Sequence, residues 1–290
     1  MKKVGFIGLG NMGTEMVKNL LNAGFEVIGY DKNEKLIKNL IPFGLKKTTK
    51  LEDIPPEVEI IITMLPDGKV VEEVYNSIFH TMRPNTLFTD CSTIDVKKAK
   101  LLHQKCREKN FLSLDAPVSG GVGGAKNGTL TFMVGGNNIA YKMMLPLFEV
   151  MGKKSLLCGE SGSGQATKAC NNMLLAISMI GVGEALNLGD NLGLDKNKLF
   201  EILSTSTGSC WSINSYFPLK GVGPKSPADD NFEPGFSANL MLKDLTIAVQ
   251  SINETKTPAP FGKKAQENFE KMVNENKGNL DFSAITIFNK

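Results

Sequence analysis

Short apolar runs alternate with longer stretches of helical periodicity through the first half of the chain. Val4 to Ile7 and Phe25 to Tyr30 read as strands, with a helix between them. Asn33 to Leu40 is helical. Glu57 to Met64 is a strand whose centre, Ile60, Ile61 and Ile62, is unbroken apolar, as in parallel sheets buried on both faces. Lys69 to Phe79 is helical, Thr86 to Thr89 a short strand, and Val96 to Lys109 a helix that Asp95 can cap. Leu112 to Asp115, Thr129 to Val134 and Ser155 to Leu157 complete the strands, with a helix over Ile139 to Met151. Strands alternating with helices predict a doubly wound, Rossmann-type α/β domain.

The pattern then changes. Gln165 to Leu192 is one long apolar-rich helical stretch, interrupted only by Gly181, Gly183 and Gly189. Glycines are costly there unless backbones pack closely. The stretch is expected to be a buried helix between two domains, residues 1–163 and 164–290. Lys196 to Leu203, Ala238 to Ile252 and Phe261 to Val273 are helix-like, so the C-terminal domain is expected to be all-α. Its irregular region, Ser204 to Gly235, carries Trp211, Tyr216 and Phe217. An ordered loop of that length is usually functional.

Composition narrows the classes. The 290 residues are 41% hydrophobic and 22% charged, with a net charge of +3. That charge is too small to argue for nucleic acid or an anionic membrane as partner. No apolar run approaches the roughly 20 residues that span a bilayer. Five cysteines, Cys91, Cys106, Cys158, Cys170 and Cys210, form no C-x-x-C pair, which suits free thiols. His80 and His103 are the only histidines, and with no clustered Cys or His a zinc-dependent alcohol dehydrogenase site has nothing to build from, so no metal is expected. Both are expected at the surface, which disfavours a histidine-based hydride transfer.

Chemistry concentrates at strand ends. Gly8, Gly10 and Gly13 form G-x-G-x-x-G between a strand and a helix, with Asp31 18 residues further on at the end of the next strand. Gly8 suits a tight turn, Gly10 leaves room for a pyrophosphate, and Gly13 suits close helix packing. The helix start favours the anion, and Asp31 can hold an adenosine ribose while repelling a 2′-phosphate. The context points to bound NAD. Thr63-Met64-Leu65-Pro66 and Asp90-Cys91-Ser92-Thr93 follow two strands. Each reads equally as a ligand loop or as a turn with capping hydroxyls. Asp115 to Gly121 presents Ser119 with Gly120 and Gly121, an arrangement suited to a carboxylate.

Gly162 to Asn172, GSGQATKACNN, carries Lys168, Asn171 and Asn172 at i, i+3 and i+4 on one helix face. A desolvated lysine can act as general acid or base, and the alternative is a lysine that reaches solvent at the helix start. Lys243-Asp244, taken alone, reads as an ordinary surface pair.

Together GFIGLGNMG, TMLP, DCSTI, DAPVSGG, GSGQATKACNN and MLKDL resemble the β-hydroxyacid dehydrogenase family, in the family's order and over nearly the whole chain. GSCWSINSY (Gly208 to Tyr216), GVGPKSPADDNFEPGFSANLMLKDL (Gly221 to Leu245) and DFSAI (Asp281 to Ile285) are most similar to its 3-hydroxyisobutyrate dehydrogenase branch. The resemblance implies that Gly8, Leu9, Gly10, Asn11, Met12, Gly13 and Asp31 hold the adenosine diphosphate part of NAD. It places Leu65 and Pro66 along the cofactor, Thr93 near the nicotinamide, and Lys243 as a further cofactor contact. Ser119, Gly120 and Gly121 would bind the substrate carboxylate, and Lys168 would be the catalytic acid/base. Asn171 and Asn172 would orient the substrate, and Trp211 and Phe236 would wall its pocket. Val70 stands where relatives often carry a cofactor-binding asparagine.

The implied reaction is NAD-dependent oxidation of 3-hydroxyisobutyrate to methylmalonate semialdehyde, with another small 3-hydroxy acid or semialdehyde, of the tartronate semialdehyde or succinic semialdehyde type, as the alternative. A non-catalytic NAD-binding module on this fold would lack the lysine that stands at 168. The resemblance also implies a homo-oligomer, dimer or tetramer. The chain as written, without a transit segment, implies a cytoplasmic protein; removal of one would imply the mitochondrial matrix.

Overall fold

The structure is a computed structural model that describes residues 3–48 and 50–288. Its contacts divide the chain into two compact units, residues 1–168 and 169–290.

The first unit is built on one sheet of nine strands. These are β1 (Lys3–Ile7), β2 (Glu26–Tyr30), β3 (Lys46–Lys47), β4 (Ile60–Thr63), β5 (Leu87–Asp90), β6 (Leu112–Asp115), β7 (Val118–Ser119), β8 (Leu130–Gly136) and β9 (Gly152–Gly159). Their order is β3-β2-β1-β4-β5-β6-β8-β7, with β9 paired to β8. From β3 to β6 all neighbours are parallel, whereas β8 runs antiparallel to β6 and β7. The parallel part has the order of a dinucleotide-binding sheet.

Helices α1 (Asn11–Asn22), α2 (Glu34–Leu40), α3 (Gly68–Ile78), α4 (Val96–Glu108), α5 (Gly121–Lys126) and α6 (Asn138–Met151) complete the unit. Alternation within fully apolar strands explains its two layers. Val4, Phe6, Ile60, Ile62 and Leu87 share one core with Met16, Val17 and Leu20 of α1 and Leu147 and Phe148 of α6. Ile7, Ile61 and Phe88 share the other with Val71, Val74 and Tyr75 of α3 and Leu102 of α4. Side chains cap the helix starts: Asp67 accepts from Lys69 N and Val70 N, Asp95 from Lys98 N, and Asn137 from Ala140 N. Each cap contributes about 1 kcal/mol.

Ile7, Thr63, Asp90 and Asp115 stand in one register row at the carboxyl ends of β1, β4, β5 and β6. The glycine turn and the TMLP, DCST and DAPVSGG segments all leave from that row. Local reading missed several short elements, β3 among them. The glycine-rich turn after Asp115 contains β7 and the short helix α5, because Val118 and Ser119 pair with Phe132 and Thr131. The last strand runs over Gly152–Gly159, beyond the Ser155–Leu157 core that its apolar pattern marks.

Helix α7 (Ser163–Asn191) starts in the first unit and continues into the second. It is buried along one side only: Ala176, Met179, Val182 and Leu186 are buried, while Leu174 and Leu188 are exposed. This corrects the expectation of a buried helix. By length and composition alone α7 could also cross a membrane, contrary to the expectation that no stretch is long and apolar enough. A helix packed within a protein passes the same test. Of Gly181, Gly183 and Gly189, two meet the close-packing requirement. A Cβ on Gly183 would lie 2.9 Å from Thr286, and one on Gly189 2.5 Å from the Leu199 side chain. Gly181 faces open space.

The second unit is helical: α8 (Lys196–Thr205), α9 (Trp211–Asn214), α10 (Ala238–Thr255), α11 (Pro260–Met272) and α12 (Ile285–Phe288). Met179, Met241, Leu245, Phe269, Met272, Phe282 and Ile285 form its main core. Helix α8 runs two residues into the region expected to be irregular, and residues 206–235 are irregular apart from α9 and one 3-10 turn at Pro227–Asp230.

Candidate active site

The three glycines of the first turn have three different physical reasons. Gly8 has φ +97°, and a Cβ there would lie 2.2 Å from the Met64 carbonyl oxygen. A Cβ on Gly13 would lie 2.0 Å from the Gly8 carbonyl oxygen, so α1 can pack on the strand only with glycine. A Cβ on Gly10 would meet nothing within 4 Å among the described residues. Its missing side chain is therefore not explained by the protein, and the space it leaves suits a phosphate approaching the start of α1. Asp31 reaches this turn: Oδ2 accepts from Leu9 N at 2.7 Å and Oδ1 from Asn33 N at 2.8 Å. Carboxylates accept up to about four hydrogen bonds, so capacity is left for a ribose. The residues fit a dinucleotide.

The neighbouring loops are held by buried polar side chains that bind backbone. Ser92 Oγ accepts from Leu65 N at 2.8 Å, fixing the TMLP segment to the DCST segment. Asp90 Oδ1 accepts from Thr63 Oγ1 at 2.8 Å and Ser92 N at 3.1 Å, while its buried Oδ2 has no hydrogen-bond partner among the described residues. Burial pushes the Asp90 carboxyl up to about 6, against those hydrogen bonds, and the Asp115 charge adds to the rise. Asp115 Oδ1 accepts from Gly162 N and Oδ2 from Gln165 N, each at 2.8 Å, so this carboxylate caps α7. A carboxylate at a helix start is favoured by the dipole as well.

Lys168 lies one turn further along α7. It is 8% exposed, and its Nζ donates to Val118 O at 2.9 Å. The alternative of a lysine reaching solvent is thereby excluded. Ser119, the next residue after that carbonyl, is half-buried and begins the turn through Gly120 (φ +129°) and Gly121 (φ +60°). Lys168 Nζ is thus hydrogen-bonded to the residue that precedes Ser119 and the glycine turn. The arrangement can hold a small carboxylate and move a proton beside it.

Residues 3–159 match the family model described as the NAD binding domain of 6-phosphogluconate dehydrogenase. Residues 162–288 match the one described as NAD-binding of NADP-dependent 3-hydroxyisobutyrate dehydrogenase. A probable 3-hydroxyisobutyrate dehydrogenase of Mycobacterium tuberculosis is 41% identical over 285 residues, 98% of this chain and 97% of the relative. The chain belongs to the β-hydroxyacid dehydrogenase family. It is an oxidoreductase that uses a nicotinamide dinucleotide. The mitochondrial 3-hydroxyisobutyrate dehydrogenase of Rattus norvegicus is 43% identical, over 97% of this chain and 85% of its own. The solved structure of the Mycobacterium tuberculosis enzyme with L-serine superposes with a TM-score of 0.96 at 40% identity, covering 100% of this chain and 99% of that one.

Within this family member, the second-unit residues singled out from the sequence fall into two groups. Trp211 stacks on Tyr216 at 4.9 Å, Tyr216 on Phe282 at 5.5 Å, and Phe236 meets Phe282 edge-on at 5.8 Å. Trp211 and Phe236 are therefore ends of one aromatic cluster. The other group is Asn171, Asn172, Lys243 and Asp244. Buried Asn172 donates to Asp244 Oδ2, exposed Asn171 donates to Asn172 Oδ1, and Lys243 Nζ lies 3.8 Å from Asp244 Oδ1. Asp244 is buried, so the Lys243-Asp244 pair is not the ordinary surface pair that its local sequence suggests.

His103 is also corrected: it is 7% exposed, with Nε2 2.9 Å from Asp115 Oδ1 and Nδ1 2.7 Å from Ser113 Oγ. The signal was present in the sequence. Ala99, Leu102, His103 and Cys106 follow i, i+3, i+4 and i+7, the buried stripe of α4. The surrounding lysines obscured it. His80 is exposed as expected. Gln165, Asp115 and Asp281 lie in segments that the sequence singles out, but none of the three is given a role of its own there. Asp281 is fully buried and takes hydrogen bonds from Tyr216 OH, Gly235 N, Phe236 N, Ser283 N and Ser283 Oγ.

Proposed function

We propose that the protein oxidises 3-hydroxyisobutyrate to methylmalonate semialdehyde with NAD, a step of valine degradation. The observation that carries this reading is the buried Lys168, held by Val118 O directly beside the Ser119-Gly120-Gly121 turn. Gly8, Leu9, Gly10, Asn11, Met12, Gly13 and Asp31 would hold the adenosine diphosphate part of the cofactor. Leu65, Pro66 and Thr93 would line its other end, with Lys243 as a further contact. Bound NAD supplies the hydride acceptor.

The protein's own part is binding and proton transfer. Ser119 Oγ and the amides of Gly120 and Gly121 take the substrate carboxylate. Lys168, as the neutral amine, accepts the hydroxyl proton, and in the reverse direction it returns that proton. Its bond to Val118 O fixes where Nζ points. Asn172, oriented by Asp244, and Asn171 position the substrate, and the Trp211 and Phe236 cluster supplies apolar wall. NAD is favoured over NADP because Asp31 already carries negative charge at the glycine turn, where a 2′-phosphate would add more.

A second reading is the same chemistry on another small 3-hydroxy acid. The related solved structure contains L-serine, and one methyl group discriminates by only about 1–3 kcal/mol. NADH production from 3-hydroxyisobutyrate, serine, glycerate, 4-hydroxybutyrate and 6-phosphogluconate tests both readings. Highest kcat/KM on 3-hydroxyisobutyrate is expected. Preference for serine or glycerate selects the second reading, and no turnover on any of them refutes both. As for assembly, we propose a homo-oligomer, in which exposed Leu188, Leu192, Leu194 and Ile202 offer apolar surface for a second copy. Light scattering of the purified protein tests it, and a monomer mass refutes it.

A further inference from the structure

We infer that Gln165 is a positioning residue that sets the spacing between the Thr93 loop and Lys168. Gln165 is 1% exposed. Its side-chain Oε1 accepts from Ile94 N at 3.1 Å, and its Nε2 donates to Ser92 O at 2.7 Å. One amide thus binds the peptide groups on both sides of Thr93, much as a neighbouring strand would. The backbone N of Gln165 donates to Asp115 Oδ2 at 2.8 Å, so the residue is itself anchored to the end of β6. Lys168 follows three positions later, one helical turn on, with its Nζ on Val118 O. Ser92 extends the clamp to Leu65 through its hydroxyl.

Packing alone does not call for glutamine here. A methionine would fill nearly the same volume without the cost of burying an amide. Asparagine is one methylene shorter, and glutamate lacks the amide donor. Glutamine is the side chain with both the reach and the donor–acceptor pair that the Ser92–Ile94 segment requires. The inference rests on the proposed roles of Lys168 as acid/base and Thr93 beside the nicotinamide. Under those roles, a loose clamp lets the proton acceptor drift relative to the bound cofactor, and misplacement by about 1 Å can cost about 100-fold in rate.

The test is Gln165→Met, with Gln165→Asn as a second variant should the first fold poorly. Both lose the two-point contact. Steady-state kinetics, NADH binding by fluorescence and amide exchange of residues 92–94 are measured on each. The expected result is a kcat lower by about 10- to 100-fold. NADH affinity should stay within about threefold, because the glycine turn and Asp31 are untouched. Exchange at Ser92 to Ile94 should accelerate, with little change elsewhere in the first unit. A kcat and segment exchange equal to wild type overturn the proposal. So does a loss of kcat that merely follows a matching loss of NADH binding and of global stability. If the wild-type enzyme turns over none of the hydroxy acids, the functional reading falls. The exchange data still decide whether Gln165 holds the segment.

Discussion

Replacing Asp90 with asparagine should stabilise the protein, and by an amount that depends on pH. Asp90 is buried in the sheet, and its Oδ2 has no hydrogen-bond partner among the described residues. Burial raises its carboxyl from 3.8 to about 6. A carboxyl with a higher pKa in the fold than in the unfolded chain binds its proton better when folded. Stability therefore falls as pH rises from about 3.8 to about 6, and the loss is complete above that. At about 1.36 kcal/mol per pH unit, the ionised carboxyl costs about 3 kcal/mol at pH 8 and about 1 kcal/mol at pH 4.5. Asparagine keeps an oxygen for Thr63 Oγ1 and Ser92 N, and removes the charge and its repulsion by Asp115. Asp90→Asn should thus gain about 3 kcal/mol near pH 8 and much less near pH 4.5. The single tryptophan, Trp211, lies in the second unit and would report on the wrong part of the molecule. Urea denaturation followed by amide exchange of the β5 peptide is the appropriate assay. A gain independent of pH, or a variant less stable than wild type at pH 8, refutes the reasoning.

Four further substitutions separate ligand from fold. Gly10→Ala should keep wild-type stability and weaken NADH binding at least about tenfold, because its Cβ would fill the open space proposed for a phosphate. Gly13→Ala should instead lower the unfolding midpoint, since its Cβ meets the Gly8 carbonyl. Equal effects in the two variants would contradict the assignment. Asp31→Ser should raise the NADP:NAD ratio of kcat/KM by removing the charge at the glycine turn, and an unchanged ratio would remove Asp31 from cofactor choice. Asp281→Asn puts an amide where one oxygen takes three donors and the other takes two. It should cost about 2–4 kcal/mol and speed exchange at Gly235 and Phe236, whereas wild-type stability would show that Asp281 does not hold this segment.

Much of this architecture is legible in the chain because its signals are local. The unbroken Ile60–Ile62 strand and the spacing from Gly8 to Asp31 each lie within a few tens of residues. So does the helical run from Gln165, and Lys168 is distinguished by its setting in an apolar helix. What escaped is non-local. Gln165 meets Ser92 73 positions away, Asn172 meets Asp244 72 away, and Asp115 meets Gly162 47 away. A polar residue whose partner lies that far along the chain looks like any surface residue until the fold brings the two together. Asp281 shows the same limit: DFSAI carried a resemblance, but nothing in those five letters announces a carboxylate that ties down Gly235, Phe236 and Tyr216. His103 is different. Its position on the α4 stripe was readable, and only the lysines around it hid it.

The central claim is that Lys168 moves the proton of the reaction, and Lys168→Ala tests it most directly. Turnover of the preferred hydroxy acid and NADH binding should be measured on the same preparation. The account predicts a kcat lower by about 100- to 10,000-fold with NADH affinity little changed. A variant that turns over at near wild-type rate contradicts it.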